Sequence, residues 1–408
     1  MNDTTLFTYA LGLTDPWFVM NVKFIQGDDG AELHIKIDHK DGYQFLSDDD
    51  QYYSVYDHVE KSWRHLNFFQ HTCYIHARVP RVRNSKGNTL MVDVPWASPG
   101  SSFTLLFEAY AMLLVHSGMS LSAGGEYMDI DGRIIGRIIK RNVAVALAEQ
   151  QLNPVTQLGL DETSYQKGHQ YITVLTDKEE KKVVGLGYGK DVEAVGEALL
   201  EMEIRGADRK KVETISLDFS PAYIAACKKY FKKAAKVFDR FHLECLLNKV
   251  VDQIRREDQK HNTVLKKTRY LWLKNAANLK EKQKLIIELL GQTCPRIGVV
   301  YRLKEQFKEV WQEPDIEKAK KLLRAWLTLA LNTKIEQVVG FVNTVKKHWR
   351  GIITYFIEQA TNAFAEQVNL KIQEIKRVAK GYRNLKNFYT MIYFHLGKLE
   401  LNLPTKNG

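Results

Sequence analysis

Short apolar and β-branched runs separated by turn residues dominate the chain between residues 158 and 242. Five of these runs predict strands, and apolar residues at helical spacing follow the third and the fourth run. The first predicted helix, residues 191–204, has Val195, Leu199 and Met202 on one side. The second, residues 220–231, begins after Ser220 with Pro221 in its first turn. The predicted order is three strands, helix, strand, helix, strand.

This order is that of a ribonuclease H-like fold, an antiparallel meander of three strands continued by parallel strands. Asp161 lies in the first run, and Asp218 ends the fourth. Carboxylates delivered to one edge of a sheet can hold a hard divalent cation such as Mg²⁺, which prefers oxygen ligands. A third acidic residue would have to come from a later helix.

The first hundred residues predict an irregular, β-rich domain. Residues 38–42 and 47–51 are polar and predict turns, residues 84–88 predict a hairpin turn, and Pro80 is expected to interrupt a strand that starts near Cys73. Arg81 and Arg83 are two residues apart, so an extended backbone turns both towards one side. They form either a phosphate-contacting surface or an ordinary solvated face.

From residue 102 the apolar period becomes helical and predicts three helices, over 103–116, 120–127 and 131–147. Ile134, Ile138 and Val145 are expected on the inner side of the third. This arrangement suits either a helix-turn-helix unit that contacts DNA or a plain linker bundle. The cations expected on the exposed side of the third helix are Arg133, Arg137, Lys140 and Arg141.

After residue 242 the pattern predicts an all-helical insertion, with helices over 244–257, 263–290, 315–331 and 334–347. A long final helix is predicted over 355–379 and ends at Gly381. Its polar face carries Asn362, Glu366, Asn369 and Gln373. A basic set follows that forms either a phosphate-binding surface or a solvated helix face: Lys371, Lys376, Arg377, Lys380, Arg383 and Lys386.

The charge balance favours a polyanionic partner. The 408 residues carry a formal net charge of +11 with a pI near 9.2, which fits nucleic acid, although a basic enzyme could look similar. The four cysteines are scattered without metal or disulfide spacing, which indicates a reduced, cytoplasmic setting. No apolar run is long enough for a membrane span, and the N-terminus lacks signal-peptide features, so no membrane association is expected.

Several stretches together resemble the insertion-sequence transposases of the ISL-three type, a bacterial DDE family with a ribonuclease H-like catalytic domain. The matching stretches occur in the family's order over nearly the whole chain: residues 63–67, 79–83, 94–97, 160–164 with 167–169, 217–223, 239–242 and 362–384. The resemblance implies cleavage of DNA at the terminal inverted repeats and strand transfer into target DNA. It also implies a homodimer or higher oligomer on DNA, acting at the bacterial nucleoid.

The resemblance further implies Asp161, Asp218 and Glu366 as the catalytic acidic triad. These carboxylates would hold two Mg²⁺ ions, with Mn²⁺ able to substitute. Glu162 is the rival at the first position, although strand alternation turns it to the opposite face. Glu358 and Glu374 are the rivals for the third. Asp239 and His242 match the family's Asp-x-x-His element, and His242 is either near the active site and touching DNA or a packed, capping histidine.

One departure concerns zinc. Family members usually carry a Cys-x-x-Cys pair in the first domain, but the corresponding stretches 45–50 and 84–87 contain no cysteine, so no zinc is expected. This leaves a domesticated, inactive DNA-binding protein as the alternative. The expected domains are 1–100 for DNA-end binding, 101–150 for the helix-turn-helix unit, 151–251 with 346–395 for catalysis, 252–345 for the insertion and 396–408 as a tail.

Overall fold

A computed structural model of the chain describes residues 3–27, 30–166, 168, 170–238, 240–358 and 363–401. Within these ranges, the side chains at 357, 358, 363, 365 and 366 are not described. The chain forms two compact units. Unit 1 comprises Met1–Ala146 with Leu399–Gly408, and unit 2 comprises Leu147–Lys398. The fold is mixed α/β, with one sheet in each unit.

Unit 1 is built on a six-stranded sheet in the order β1-β2-β5-β4-β3, with β6 paired to β5. A short helix, α1 (Asp3–Ala10), precedes it. One face of the sheet buries aromatic and β-branched side chains, among them Trp17, Trp63 and Ile75, and this burial stabilises the unit. The strands are β1 Trp17–Gly27, β2 Gly30–His39, β3 Gln44–Leu46, β4 Tyr52–Phe68, β5 His71–Arg83 and β6 Thr89–Met91.

The expectation that Pro80 interrupts a strand is wrong, because β5 continues through it to Arg83. β2 pairs with β5 only as far as Ala77, and β6 pairs from Arg81 onwards. The Pro80 carbonyl points towards this side, where it accepts a hydrogen bond from the Val92 amide at 3.0 Å. The missing proline N–H therefore falls in a gap between two neighbouring strands, where no ladder hydrogen bond is lost.

Three helices complete unit 1: α2 (Leu105–His116), α3 (Leu121–Met128) and α4 (Gly132–Glu149). The side chains of Thr104 and Ser120 cap the first two. The predicted inner face of α4 is partly wrong, since Val145 is 51% exposed. The side chains that α4 does bury are Ile135, Ile138, Ile139, Val143 and Ala146.

Unit 2 contains a five-stranded sheet in the order β11-β10-β7-β8-β9. The pairs β7–β8 and β8–β9 are antiparallel, whereas β7–β10 and β10–β11 are parallel. The predicted meander continued by parallel strands is therefore confirmed. The strands are β7 Gln157–Gln166, β8 Gln170–Asp177, β9 Lys182–Tyr188, β10 Thr214–Leu217 and β11 Ala235–Phe238.

Helices α5 (Val192–Ile204) and α6 (Pro221–Tyr230) follow the third and fourth strands, as the sequence predicts. α5 packs directly on β9, where a Cβ at Gly187 would lie 1.9 Å from the Ala194 carbonyl oxygen. Only glycine allows this approach. The close packing fixes α5 against the sheet and buries Val195 and Leu199 in the main hydrophobic core.

The fifth strand ends earlier than predicted, at Phe238, and His242 lies in the first turn of helix α7 (Arg240–Gln259). The single helix predicted over 263–290 is also wrong. The chain there forms α8 (Arg269–Leu273), two short 3-10 helices and α9 (Glu281–Thr293). Lys267 adopts φ 62°, and the carbonyls of Trp272 and Lys274 accept hydrogen bonds from the Lys304 ammonium instead of from helical amides.

The first four of the remaining helices pack around the same core, and the last two contact β7 and β9. They are α10 Pro295–Val310, α11 Ile316–Asn332, α12 Glu336–Lys347, α13 Trp349–Glu358, α14 Ala363–Val378 and α15 Leu385–Leu396. The helix predicted over 355–379 corresponds to the end of α13 and to α14, and residues 359–362 between them, including Asn362, lie outside the described residues. Among the described helices, none is long and apolar enough to cross a membrane.

Candidate active site

Two aspartates lie at one level on adjacent parallel strands. Thr214 of β10 pairs with Gln157 of β7, and Asp218 and Asp161 each follow four residues later. Because paired residues of parallel strands turn their side chains to the same face, this register sets the two carboxylates side by side. Neighbouring strands are about 4.8 Å apart. Asp218 follows the last residue of β10, and its Oδ1 accepts a hydrogen bond from the Ser220 amide at 2.8 Å.

The carboxylates influence one another electrostatically. Burial raises the pKa of Asp161 to about 7. That value already includes the charges of Glu162 and Asp218, which raise the pKa, and the Glu162 amide and His242, which lower it. Burial and the Asp218 charge likewise raise the pKa of Glu162. Negative charges held together in a partly dehydrated place are costly without a cation, so the oxygen donors present suit a divalent metal ion.

Glu162 points away from Asp161, as strand alternation predicts. Its carboxylate is hydrogen-bonded to the hydroxyl of Tyr223 on α6, and that hydroxyl lies 3.1 Å from Thr173 Oγ1. Tyr223 is fully buried, and this burial raises its pKa. Glu162 thus faces α6.

Helix α14 lies along the other side of β7 and contacts it at three levels. Asn369 Nδ2 donates to Asp161 Oδ2 at 2.7 Å, Gln373 Nε2 donates to Thr163 Oγ1 at 2.8 Å, and Lys376 Nζ donates to the Ser164 carbonyl at 2.5 Å. Asn369 Oδ1 is buried without a hydrogen-bond partner among the described residues. The helix is therefore fixed against the strand that carries Asp161. The side-chain oxygen of Asn369 remains available as a ligand for a cation.

Glu366 belongs to the same helix, three residues before Asn369, but its side chain lies outside the described residues, as do the Glu358 side chain and Asp239. The other rival, Glu374, forms an ion pair with Lys371 at 2.9 Å. Within the described part of the chain, no group of three or more His, Cys, Asp or Glu side chains is arranged to hold a metal ion.

His242 lies near this edge of the sheet, in the first turn of α7. Its charge lowers the pKa of both Asp161 and Glu162, so the imidazole is within electrostatic range of the two carboxylates.

The cations predicted to contact DNA in unit 1 differ in how they are engaged. Arg81 pairs with Asp57, Arg133 pairs with Asp131, and Arg141 pairs with the buried carboxylate of Glu108. The Arg83 guanidinium lies over the Tyr56 ring, with its central carbon 4.0 Å from the ring centre. Arg137 and Lys140 lie exposed on α4.

The basic set near α14 divides in the same way. Lys371 and Lys376 are half-buried and engaged with Glu374 and the Ser164 carbonyl, whereas Arg377, Lys380 and Arg383 are exposed. The exposed members are the better candidates for phosphate contacts.

The cysteine and the histidines of the first hundred residues that could ligate zinc have other roles in the structure. Burial raises the pKa of Cys73 to about 11. His71 is hydrogen-bonded to the Ala31 carbonyl, His65 to Thr104, His58 to His39, and His76 to His34 and Ser62.

Two contributors were missed as site residues from the sequence. Gln373 contacts β7 seven positions after Glu366, and Tyr223 joins Glu162 to the core. The helical spacing of Glu366, Asn369 and Gln373 held the signal for the first, because positions i, i+3 and i+7 share one face. The hydrogen bond of Tyr223 depends on the packing of α6 and had no comparable signal.

Comparison with known proteins gives two family matches. A model described as "Transposase", for the DDE domain of the ISL3 family, matches residues 158–392. A second, "Helix-turn-helix domain of transposase family ISL3", matches residues 92–143. The chain is 25% identical over 350 residues to the transposase for insertion sequence element IS1001 of Bordetella parapertussis, covering 83% of this chain and 85% of that protein. It is also 25% identical over 381 residues to the transposase for IS1557 of Mycobacterium tuberculosis, covering 85% and 84%.

Proposed function

The chain belongs to the transposase family ISL3, and from this premise we propose that it binds the ends of its own insertion sequence and catalyses metal-dependent strand cleavage and strand transfer into target DNA. The observation that carries the proposal is the register of the adjacent parallel strands β7 and β10, which brings Asp161 and Asp218 to one level, with α14 hydrogen-bonded to Asp161 through Asn369.

We assign Glu366 as the third carboxylate. It precedes Asn369 by three helical positions, and residues three apart lie on neighbouring points of one helix face. Since Asn369 contacts Asp161, this spacing supports a position for Glu366 towards the same edge of the sheet. The engagement of the rival Glu374 with Lys371 supports the same choice.

The order of the five strands supports a ribonuclease H-like catalytic domain made of residues 151–251 and 346–395, interrupted by a helical insertion over 252–345. We further propose that residues 1–100 bind the element ends, that residues 101–150 act as a helix-turn-helix unit, and that 396–408 form a tail. On DNA the protein would act as a homodimer or higher oligomer, in the compartment that holds the chromosome.

Asp161, Asp218 and Glu366 would hold two Mg²⁺ ions, or Mn²⁺ in their place. Bound there, the ions supply Lewis-acid activation of the attacking hydroxyl and neutralise charge at the phosphodiester. The chain's own groups orient this centre. Asn369 fixes one Asp161 oxygen and the Glu162 amide fixes the other. His242, near the carboxylates, would contact the DNA, and we assign the same role to Asp239.

Phosphate contacts are assigned to the exposed cations Arg137 and Lys140 of the helix-turn-helix unit and to Arg377, Lys380 and Arg383 after the catalytic helix. Arg81, Arg83, Arg133, Arg141, Lys371 and Lys376 would join them only by exchanging their present partners. Such a surface makes binding strongly dependent on salt, because neutralised phosphates release counterions.

The test is incubation of the purified protein with its element ends and Mg²⁺ or Mn²⁺, reading cleaved and joined products. We expect both products from the wild type and neither from Asp218→Asn, with binding of the ends retained. Cleavage without joining would favour a nuclease. Binding without either reaction would favour a domesticated DNA-binding protein, the alternative that the missing cysteines of the first domain suggest.

A further inference from the structure

A second concave site lies in the helical segment of unit 2, between α8, α9 and α10. The cavity has a volume of about 420 Å³ and shares no lining residue with the strand-end carboxylates. Small-molecule sites usually have volumes of about 300–1,000 Å³, so this cavity can hold a planar ring system. Its wall is formed mainly by Trp272, Leu279, Ile287 and Tyr301. The charged residues that also line it are two cations and one carboxylate, Lys284, Arg302 and Glu288.

The wall of the cavity is fixed by a buried cation. The Lys304 side chain is 3% exposed, and its ammonium donates to the Trp272 carbonyl at 2.9 Å and to the Lys274 carbonyl at 2.7 Å. The same ammonium lies 4.6 Å from the centre of the Tyr301 ring. These contacts tie the irregular segment after α8 to α10, so the cavity is formed before a ligand arrives.

Two helices of this site approach closely through glycines. A Cβ at Gly298 of α10 would lie 2.8 Å from the Cα of Gly291 on α9, which no side chain could tolerate without a shift. The glycine contact holds α9 beside α10, and both glycines line the cavity together with the Tyr301 ring, which packs edge-on against Trp272.

Tyr301 carries an unsatisfied polar group. Its hydroxyl is buried and has no hydrogen-bond partner among the described residues, and burial raises its pKa. A buried hydroxyl without a partner costs about 1–3 kcal/mol. A ligand that brings a carbonyl oxygen or ring nitrogen to the hydroxyl would remove this cost, so the site favours a planar heteroaromatic group with hydrogen-bond acceptors.

The chain around the cavity is strongly basic. Between Lys266 and Lys284 the sequence has one acidic residue, Glu281, against seven basic ones, all of them exposed. Tyr270 on the same segment is 72% exposed. A ligand that carries phosphates next to an aromatic ring fits this combination of an apolar cavity and a cationic rim. Two of the seven, Arg269 and Lys284, pair with Asp252 and Glu281. The other five are Lys266, Lys267, Lys274, Lys280 and Lys282.

We propose that this cavity accepts the base of an unpaired nucleotide of the bound DNA. Tyr301 donates a hydrogen bond to the base, and the flanking phosphates contact Lys266, Lys267, Lys274, Lys280 and Lys282. The proposal rests on the DNA binding put forward above and adds a site for a single base outside the carboxylate centre. It identifies the helical insertion as a surface for single-stranded DNA at a strand end or junction.

The test compares two labelled single strands of equal length, one with all its bases and one abasic throughout, by fluorescence anisotropy with the full chain. Both strands present the same phosphates, so their difference reports base contacts. We expect the wild type to bind the base-bearing strand on the order of tenfold more tightly, as base–protein stacking contacts typically contribute. Ala276→Phe fills the cavity and should abolish this preference while leaving the affinity for the abasic strand unchanged.

Tyr301→Phe removes only the unsatisfied hydroxyl. It should fold with the wild-type stability or better and lose several-fold of the preference, so it decides the matter if Ala276→Phe fails to fold. Lys282→Gln is the control on the basic segment. It should lower the affinity for both strands by the same factor. Equal affinity of the wild type for both strands, or a preference untouched by either cavity variant, would overturn the proposal. If the wild type binds neither strand, the proposed DNA binding itself fails, whereas binding without base preference removes only the cavity.

Discussion

Replacing Asp161 by asparagine should stabilise unit 2 at neutral pH while removing the function proposed for this residue. The carboxylate is largely buried beside Glu162 and Asp218, and its pKa is raised to about 7. An asparagine keeps the size of the side chain and can still accept from the Glu162 amide. The Asn369 amide can rotate and present its unpartnered Oδ1 to the new NH₂ group. The substitution therefore removes a buried charge and loses few contacts.

The sign of the pH dependence follows from the raised pKa. A carboxyl group that binds its proton more tightly in the folded state favours folding most when the pH is below the pKa that it has in the unfolded chain. For Asp161 that pKa is 3.8. This contribution is lost as the pH rises through about 7, because the ionised group is then held in a costly environment. Since one pKa unit corresponds to about 1.4 kcal/mol, the ionised Asp161 can lower the free energy of unfolding by at most about 4 kcal/mol. With partial exposure of the side chain, we expect about 1–3 kcal/mol.

The assay is urea unfolding of the wild type and Asp161→Asn across this pH range, followed by tryptophan fluorescence. Four of the seven tryptophans, Trp272, Trp311, Trp326 and Trp349, report on unit 2. The advantage of the variant should grow from about pH 4 to about pH 7 and then level off. Glu309→Gln, an exposed position on α10, controls for net charge. Saturating Mg²⁺ should stabilise only the wild type and narrow the difference. A difference that is negative or independent of pH would refute the reasoning.

Three further outcomes are expected. Gly187→Ala should destabilise unit 2 by about 3 kcal/mol or more in thermal unfolding, because its Cβ would overlap the Ala194 carbonyl, whereas Gly340→Ala on α12, with open space around it, should be neutral or stabilising. Arg141→Ala should lower the free energy of unfolding by about 1–3 kcal/mol, because it removes the ion-pair partner of the buried Glu108. Arg137→Gln should leave stability unchanged, and in binding titrations it should lower DNA affinity and reduce the dependence of that affinity on salt. Asn369→Leu should reduce strand cleavage at limiting Mg²⁺ more than at saturating Mg²⁺, and an equal loss at both would count against its role at Asp161.

The order and direction of the strands in unit 2 could be predicted because each run is short, apolar and bounded by turns, and because Asp161 and Asp218 occupy equivalent positions in two of them. The end of the fifth strand could not. The predicted run continues past Phe238 to His242, but the chain enters α7 at Arg240. The break in the predicted helix 263–290 depends on Lys304, a residue far along the chain whose ammonium takes the carbonyls that a helix would use.

At the candidate site, too, local sequence patterns were informative and contacts between distant residues could not be predicted. Residue type and helical spacing were enough to propose Asn369 beside the acidic centre, since Glu366, Asn369 and Gln373 share one face. They did not distinguish cations free to meet DNA from those already paired. Arg141 and Lys376 look like exposed positive charges in the sequence, yet one neutralises the buried Glu108 and the other caps the Ser164 carbonyl. Such pairings join residues that are far apart in sequence.

The central claim is that Asp161, Asp218 and Glu366 share bound divalent metal, and iron-mediated cleavage of the polypeptide tests it most directly. Fe²⁺ bound in place of Mg²⁺, with ascorbate and peroxide, generates radicals that cut the backbone near the metal, and mass spectrometry locates the cuts. We predict cuts next to all three residues, suppressed by excess Mg²⁺ and lost in Asp218→Asn. Cuts near 161 and 218 without any near 366, or a pattern unchanged in Asp218→Asn, would contradict the account.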